Sequence, residues 1–257
     1  MPFAPTTDNQ EIYYEIQGQP GPGPTLVFVS GYMGITNIWH PLISSLHSRH
    51  QCIAYDRRGY GRSSKPESPD SYTISGHASD LHAVLQAANI THPVVLITHS
   101  MGGNIASAYY LAHQDTVAGI IYTGTYYDGK IVNEGFLTYD AITDGVESPS
   151  RSVEFYSAMG LREDIALEAA KWAPHGRRNN AKALLQFGMQ GNYARITVPT
   201  LIVQGEFDLL PLEQCVMPMV RELPSCRLEV LAGVYHFPAT EALERVEGLV
   251  DGFVESL

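Results

Sequence analysis

Six short strand-like runs constrain this chain more than any other feature: "TLVFVS", "CIAYD", "PVVLITHS", "VAGIIYTG", "TLIVQG" and "RLEVLA". Most are continuously apolar rather than alternating. An apolar run without alternation belongs to a strand buried on both faces, as in a parallel sheet. Parallel neighbours cannot be joined by hairpins and need crossover connections, usually helices. Helix-like stretches stand between the runs: "NIWHPLISSLHSR", "SGHASDLHAVLQAANI", "GGNIASAYYLAHQ", "LEQCVMPMVREL" and, at the end, "TEALERVEGLVDGFVESL". In the second, Ala78, Leu81, Val84, Leu85 and Ala88 recur at helical spacing. The pattern predicts an α/β fold: a mostly parallel central sheet, helices on both faces and right-handed crossovers. Ahead of it "EIYYEIQ" alternates and predicts an antiparallel edge strand, set off by the turn "GQPGPGP".

At 257 residues the chain suits one domain over 1–257. The alternation breaks between about Thr125 and Gln190, where helical patches and aromatic residues replace strand runs. A structureless loop of that length is uncommon, so 125–190 is expected to be a small helical cap inserted in the domain. Hydrophobic residues at 44% and charged residues at 17% supply a core and argue against disorder. The net charge of -11 repels phosphate backbones and anionic surfaces, so neither nucleic acid nor membrane is expected as a partner. No apolar stretch approaches the roughly 20 residues that span a bilayer, and "MPFAPTTDNQ" does not resemble a signal peptide. A cytoplasmic protein is expected. Oligomeric state stays open, a homodimer included.

The chemistry concentrates in "LITHSMGGNIA". A strand ends, a serine follows, and two glycines open a helix. In open parallel sheets ligands bind beyond the carboxyl ends of strands. A sharp strand-to-helix turn there exposes the Ser100 Oγ beside the amides of a helix N-terminus, and Gly102 and Gly103 let the two backbones approach. Serine needs a base, and the base an orienting acid. "TLIVQGEFDLLPLE" carries Asp208 just after a strand, and "RLEVLAGVYHFPATE" carries His236 just after the next. The order Ser, Asp, His suits this kind of turn. Asp128, after "IIYTGTYY", is the alternative acid. Oxyanion donors are expected from the amides of Met101 and of Tyr32, the latter in "VSGYMG".

Together, "VSGYMG", "AYDRRGYGRSS", "THSMGGN", "VQGEFDLLPLE" and "GVYHFP" resemble the α/β-hydrolase family, and the resemblance covers nearly the whole chain. It implies an α/β-hydrolase fold with a helical cap after the sixth strand, and it implies that Asp56, Arg57 and Gly61 brace a turn beneath the active edge. Two positions depart from the family pattern. Thr98 replaces the first glycine of G-x-S-x-G, where a β-branched residue should strain or widen the turn. Ser30-Gly31 replaces His-Gly before the oxyanion loop, so local hydrogen bonding should differ.

The expected activity is hydrolysis of a carboxylic ester or lactone of a hydrophobic small molecule through Ser100, His236 and Asp208. Gly31, Tyr126 and Tyr139 are expected at the substrate. The other cap aromatics are expected to fill the cap's own core, and Arg177 and Arg178 to lie on a solvated surface. No cofactor is required, and no histidine cluster suggests a metal: His77 and His82 are five apart and do not share a helix face. Three rivals remain: carbon–carbon bond hydrolysis and cofactor-free perhydrolysis with the same triad, and a slow-turnover small-molecule receptor.

Overall fold

The computed structural model describes residues 2–189 and 191–257. Met1 and Gln190, which bound the expected domain and cap, lie outside them. The strands are β1 Phe3–Pro5, β2 Glu11–Gln17, β3 Leu26–Val29, β4 Cys52–Tyr55, β5 Val94–His99, β6 Val117–Thr123, β7 Thr200–Gly205 and β8 Cys226–Leu231. They form one sheet in the order β1-β2-β4-β3-β5-β6-β7-β8. From β4 to β8 every pairing is parallel. The apolar runs occupy these positions because β3, β4, β5 and β7 are buried along their whole length and have no wet face to alternate toward.

The expected edge strand is not at the edge. β2 pairs antiparallel with β4 on one side and with β1 on the other. β1 was not legible: three residues ending in a proline are too short to show a pattern, although an edge position tolerates proline.

The helices are α1 His40–Leu46, α2 Ile74–Ala87, α3 Met101–Ala112, α4 Gly129–Gly135, α5 Tyr139–Thr143, α6 Pro149–Ala158, α7 Glu163–Ala169, α8 Pro174–Gln186, α9 Met217–Glu222, α10 Pro238–Glu241 and α11 Leu243–Glu255. α1 packs on α11, and α2 on α3. In α11, Val246, Val250 and Phe253 form one buried stripe. Burying side chains of this size contributes roughly 1.5–3 kcal/mol each. The stripe can seat closely because β6 carries Gly119 there: a Cβ at that position would stand 2.8 Å from the Phe253 ring. α4 to α8 lie between β6 and β7. α8 packs against both α4 and α5, and α6 against α7. No helix among the described residues is long and apolar enough to cross a membrane.

Candidate active site

β5 runs into α3 through Ser100 alone. This residue takes φ 51° and ψ -122°, a conformation that L side chains adopt at a cost of order 1–3 kcal/mol. The turn is over-determined by its neighbours. The Ser100 amide donates to the Thr123 carbonyl at 2.9 Å, and the Ser100 carbonyl accepts from Gly103 N at 2.8 Å. Gly102 meets β3 so closely that a Cβ would overlap the Val29 carbonyl oxygen. That oxygen belongs to a central strand and has nowhere to go. Gly102→Ala should therefore lower stability by about 3 kcal/mol or more, at the severe end of overpacking. Urea unfolding with a loss below about 1 kcal/mol would show that the turn has slack.

Thr98 is fully buried in this strand. Its hydroxyl donates to the Ile121 carbonyl at 3.2 Å, and its own carbonyl accepts from Thr123 Oγ1 at 2.8 Å. The extra polar atom is thus paired with the neighbouring strand. Ser30 answers the second departure in the same way. Its hydroxyl donates to the Ile35 carbonyl at 2.9 Å and accepts from Trp39 Nε1 at 3.0 Å, closing the loop that carries Gly31 and Tyr32. Gly31 lies against the elbow: a Cβ there would come within 2.6 Å of His99 Nδ1 and 3.0 Å of Ser100 Cβ.

The loops after β7 and β8 bring Asp208 to His236. His236 Nδ1 lies 3.0 and 2.9 Å from the two carboxylate oxygens. The carboxylate is held from other directions as well. Gln204 Nε2 donates to Oδ2 at 2.7 Å, and the Leu210 amide donates to Oδ1 at 3.0 Å. Gln204 in turn accepts from the Thr125 amide at 3.1 Å, linking the acid to the residues that leave β6. Asp128, the alternative acid, is spent elsewhere: it caps α4 and accepts from the Lys130 amide at 2.7 Å.

His236 is held on both sides along the backbone. The Glu241 carboxylate accepts from the Tyr235 amide at 2.8 Å and from the Phe237 amide at 2.7 Å. Burial raises the Glu241 carboxyl above its ordinary value. The His236 amide donates to the Met159 carbonyl at 3.1 Å, a contact with the residue that follows α6. Its carbonyl accepts from His99 Nε2 at 3.0 Å. His99 is stacked on Phe237, with ring centroids 4.7 Å apart. Burial, with His236 nearby, pushes the His99 imidazole well below its ordinary pKa, so it stays neutral. Gln204 and Glu241 were not foreseen. Each acts through tertiary contacts, and neither stands in a pattern that marks it.

Ser100, His236 and Tyr32 line one cavity. Leu209 and Leu210 also line it, and the rest of its lining, Tyr126 and Phe155 among it, comes from the segment between β6 and β7. Its volume is about 30 Å³, room for a water or two. A larger cleft of about 520 Å³ lies between the start of α2 and α8, but it contains none of the three expected catalytic side chains. Neither the Tyr32 nor the Met101 amide has an acceptor among the described residues. Tyr139 does not line the cavity; its ring faces Lys182 Nζ at 5.8 Å. Arg177 corrects an expectation. It is 1% exposed, donates to the Val146 carbonyl and to Ser152 Oγ, and lies over the Tyr156 ring, whereas Arg178 is half-buried and pairs with Glu147.

Strand order and the sharp strand-to-helix turn at Ser100 together define a class, the mostly parallel sheet proteins of α/β-hydrolase architecture. Similarity to known proteins gives the family. Residues 24–150 match the family described as alpha/beta hydrolase fold. The chain is 30% identical over 257 residues to "Putative carbamate hydrolase RutD" of Azorhizobium caulinodans, covering 93% of each. It is 26% identical over 284 residues to a non-heme haloperoxidase of Rhodococcus erythropolis, covering 100% of each. Among solved structures it is similar to an esterase from Exiguobacterium antarcticum, with TM-score 0.84, 25% identity and 98% of each chain covered. The chain belongs to the alpha/beta-hydrolase family, and it is a hydrolase.

Proposed function

We propose that this hydrolase cleaves a carboxylic ester or lactone of a hydrophobic small molecule. The observation that carries the reading is that His236, paired with Asp208, lines the same largely apolar cavity as Ser100. With Nδ1 committed to Asp208, Nε2 is the ring nitrogen left for the serine. Ser100 Oγ attacks the substrate carbonyl carbon as His236 Nε2 takes the hydroxyl proton. The amides of Tyr32 and Met101 hold the resulting oxyanion. Collapse breaks the carbon–oxygen bond, and the imidazolium returns the proton to the leaving alkoxide. Water then attacks the acyl-enzyme, losing a proton to His236. The carboxylic acid leaves and Ser100 regains its hydrogen. Asp208 keeps the imidazole in the required tautomer and steadies its charged form.

Residues 125–190 act in this reading as a cap within a single domain. Similarity to the haloperoxidase favours a second reading, perhydrolysis, in which hydrogen peroxide takes the place of water at the acyl-enzyme. The test is a panel of p-nitrophenyl esters of rising chain length, lactones, an O-alkyl carbamate and a peracid assay, together with labelling by a fluorophosphonate. Ester or lactone turnover with phosphorus on Ser100 is expected. Peracid formation without ester hydrolysis would replace the main reading with the second. Absence of both turnover and label would overturn it.

A further inference from the structure

Arg57 has no exposed surface, yet no carboxylate bonds to it among the described residues. A buried guanidinium without an anion is costly unless its donors are well used. Here the two Nη groups join three parts of the molecule, while Nε is buried with no partner among the described residues. Nη2 donates to the Gly31 carbonyl at 2.6 Å and to the Tyr32 carbonyl at 3.3 Å. Nη1 donates to Asn180 Oδ1 on α8 at 2.8 Å and to His77 Nε2 on α2 at 3.2 Å. A guanidinium has no lone pair to offer, so His77 Nε2 is the acceptor and the ring proton sits on Nδ1. Burial, with Arg57 beside it, holds His77 down to about 4, so this acceptor persists at neutral pH.

The contact with Gly31 matters most. The Gly31 carbonyl and the Tyr32 amide belong to one peptide unit, and no described peptide bond is cis. In a trans peptide the C=O and N–H point in opposite directions. Whatever holds the carbonyl therefore aims the amide. Among the described residues two groups hold it, the Gly34 amide at 3.0 Å and Arg57 at 2.6 Å, and of these two the second carries charge. A cation on the carbonyl also polarises the unit and makes its N–H a stronger donor. The connection to the cap is equally direct. Asn180 Nδ2 donates to the Gly176 carbonyl at 2.8 Å, which turns Oδ1 toward Arg57. α8 can come this near because residue 176 is glycine: a Cβ there would stand 2.9 Å from the Gly59 carbonyl oxygen.

We propose that Arg57 is a positioning residue for the oxyanion hole: it aims and polarises the Tyr32 amide toward the developing oxyanion, and Asn180 couples that seat to the cap. The proposal rests on the serine-hydrolase reading above. Its test uses Arg57→Lys, which keeps the charge but loses the planar fork, and Asn180→Ala, which removes the link to α8 together with the Asn180–Gly176 bond. Each is assayed for ester kcat and KM and for inhibition by two compounds of one hydrophobic skeleton. One is a trifluoromethyl ketone, which forms an oxyanion with the serine; the other is the corresponding alcohol, which does not. Arg57→Lys should lower kcat about 10²-fold with KM within about threefold, the scale of losing one oxyanion donor. The ketone should weaken by the same factor while the alcohol binds unchanged. Asn180→Ala should shift the same quantities in the same direction by about tenfold, and it decides the matter if the lysine variant does not fold. Variants that keep wild-type kcat, or that weaken ketone and alcohol alike, overturn the role of Arg57. Wild type without ester turnover or ketone inhibition overturns the serine-hydrolase reading itself, and this inference with it.

Discussion

Ser100→Ala should lose ester turnover by about 10⁴-fold or more, because without the hydroxyl no acyl-enzyme forms and only binding and the oxyanion donors remain to act. The fold should survive. Ser100 spends its backbone, not its side chain, on the turn: the amide bonds to Thr123 and the carbonyl to Gly103. Alanine at φ 51° is as strained as serine, so the urea midpoint should stay nearly unchanged. Ser100→Gly makes a useful companion. It removes the same nucleophile but relieves the left-handed strain, and it should gain up to about 1 kcal/mol of stability. A Ser100→Ala enzyme with turnover within tenfold of wild type would remove the serine from the mechanism.

Asp208→Asn should lower kcat by about 10³–10⁴-fold while leaving the backbone in place. The reason is donor counting. The carboxylate faces donors on every side: Gln204 Nε2, the Leu210 amide and His236 Nδ1. A carboxylate only accepts, so all are satisfied. An amide must point its NH₂ at one of them. If it points at Gln204 or Leu210, a buried donor loses its acceptor, at about 1–3 kcal/mol. If it points at His236, the imidazole must accept at Nδ1 and carry its proton on Nε2, where it cannot take the one from Ser100. Steady-state kinetics on a p-nitrophenyl ester reads the outcome, and a loss below tenfold would show that Asp208 does not govern the tautomer. Gln204→Leu, in contrast, frees one oxygen of the acid without touching the tautomer, so its kcat should fall far less than that of Asp208→Asn.

Much of the architecture was legible because the signals were local. β3 to β7 read correctly because a strand buried on both faces is apolar at most successive residues instead of alternating. The elbow read correctly because two glycines after a serine have a steric purpose that no other residue meets, and the overlap at Gly102 with Val29 is that purpose. Other features were not legible because the information was not local. β1 is too short to carry a period. Arg177 resembles any charged residue of a polar stretch, and its burial against Tyr156 depends on how α6 and α8 meet. Tyr139 is an aromatic residue of the segment between β6 and β7 like the others, and only the packing there directs it to Lys182 instead of the cavity.

Residue order alone determined the layered sheet, the serine at its fifth strand end, and the placing of an acid and a histidine after two later strands, because hydrophobic period and turn chemistry act over a few residues. Tertiary structure decided how those groups are aimed. Gln204 reaches Asp208, Glu241 brackets the His236 loop, and Arg57 seizes the Gly31 carbonyl while gripping α8. Such contacts depend on distances across the fold, and no spacing along the chain encodes a distance in space.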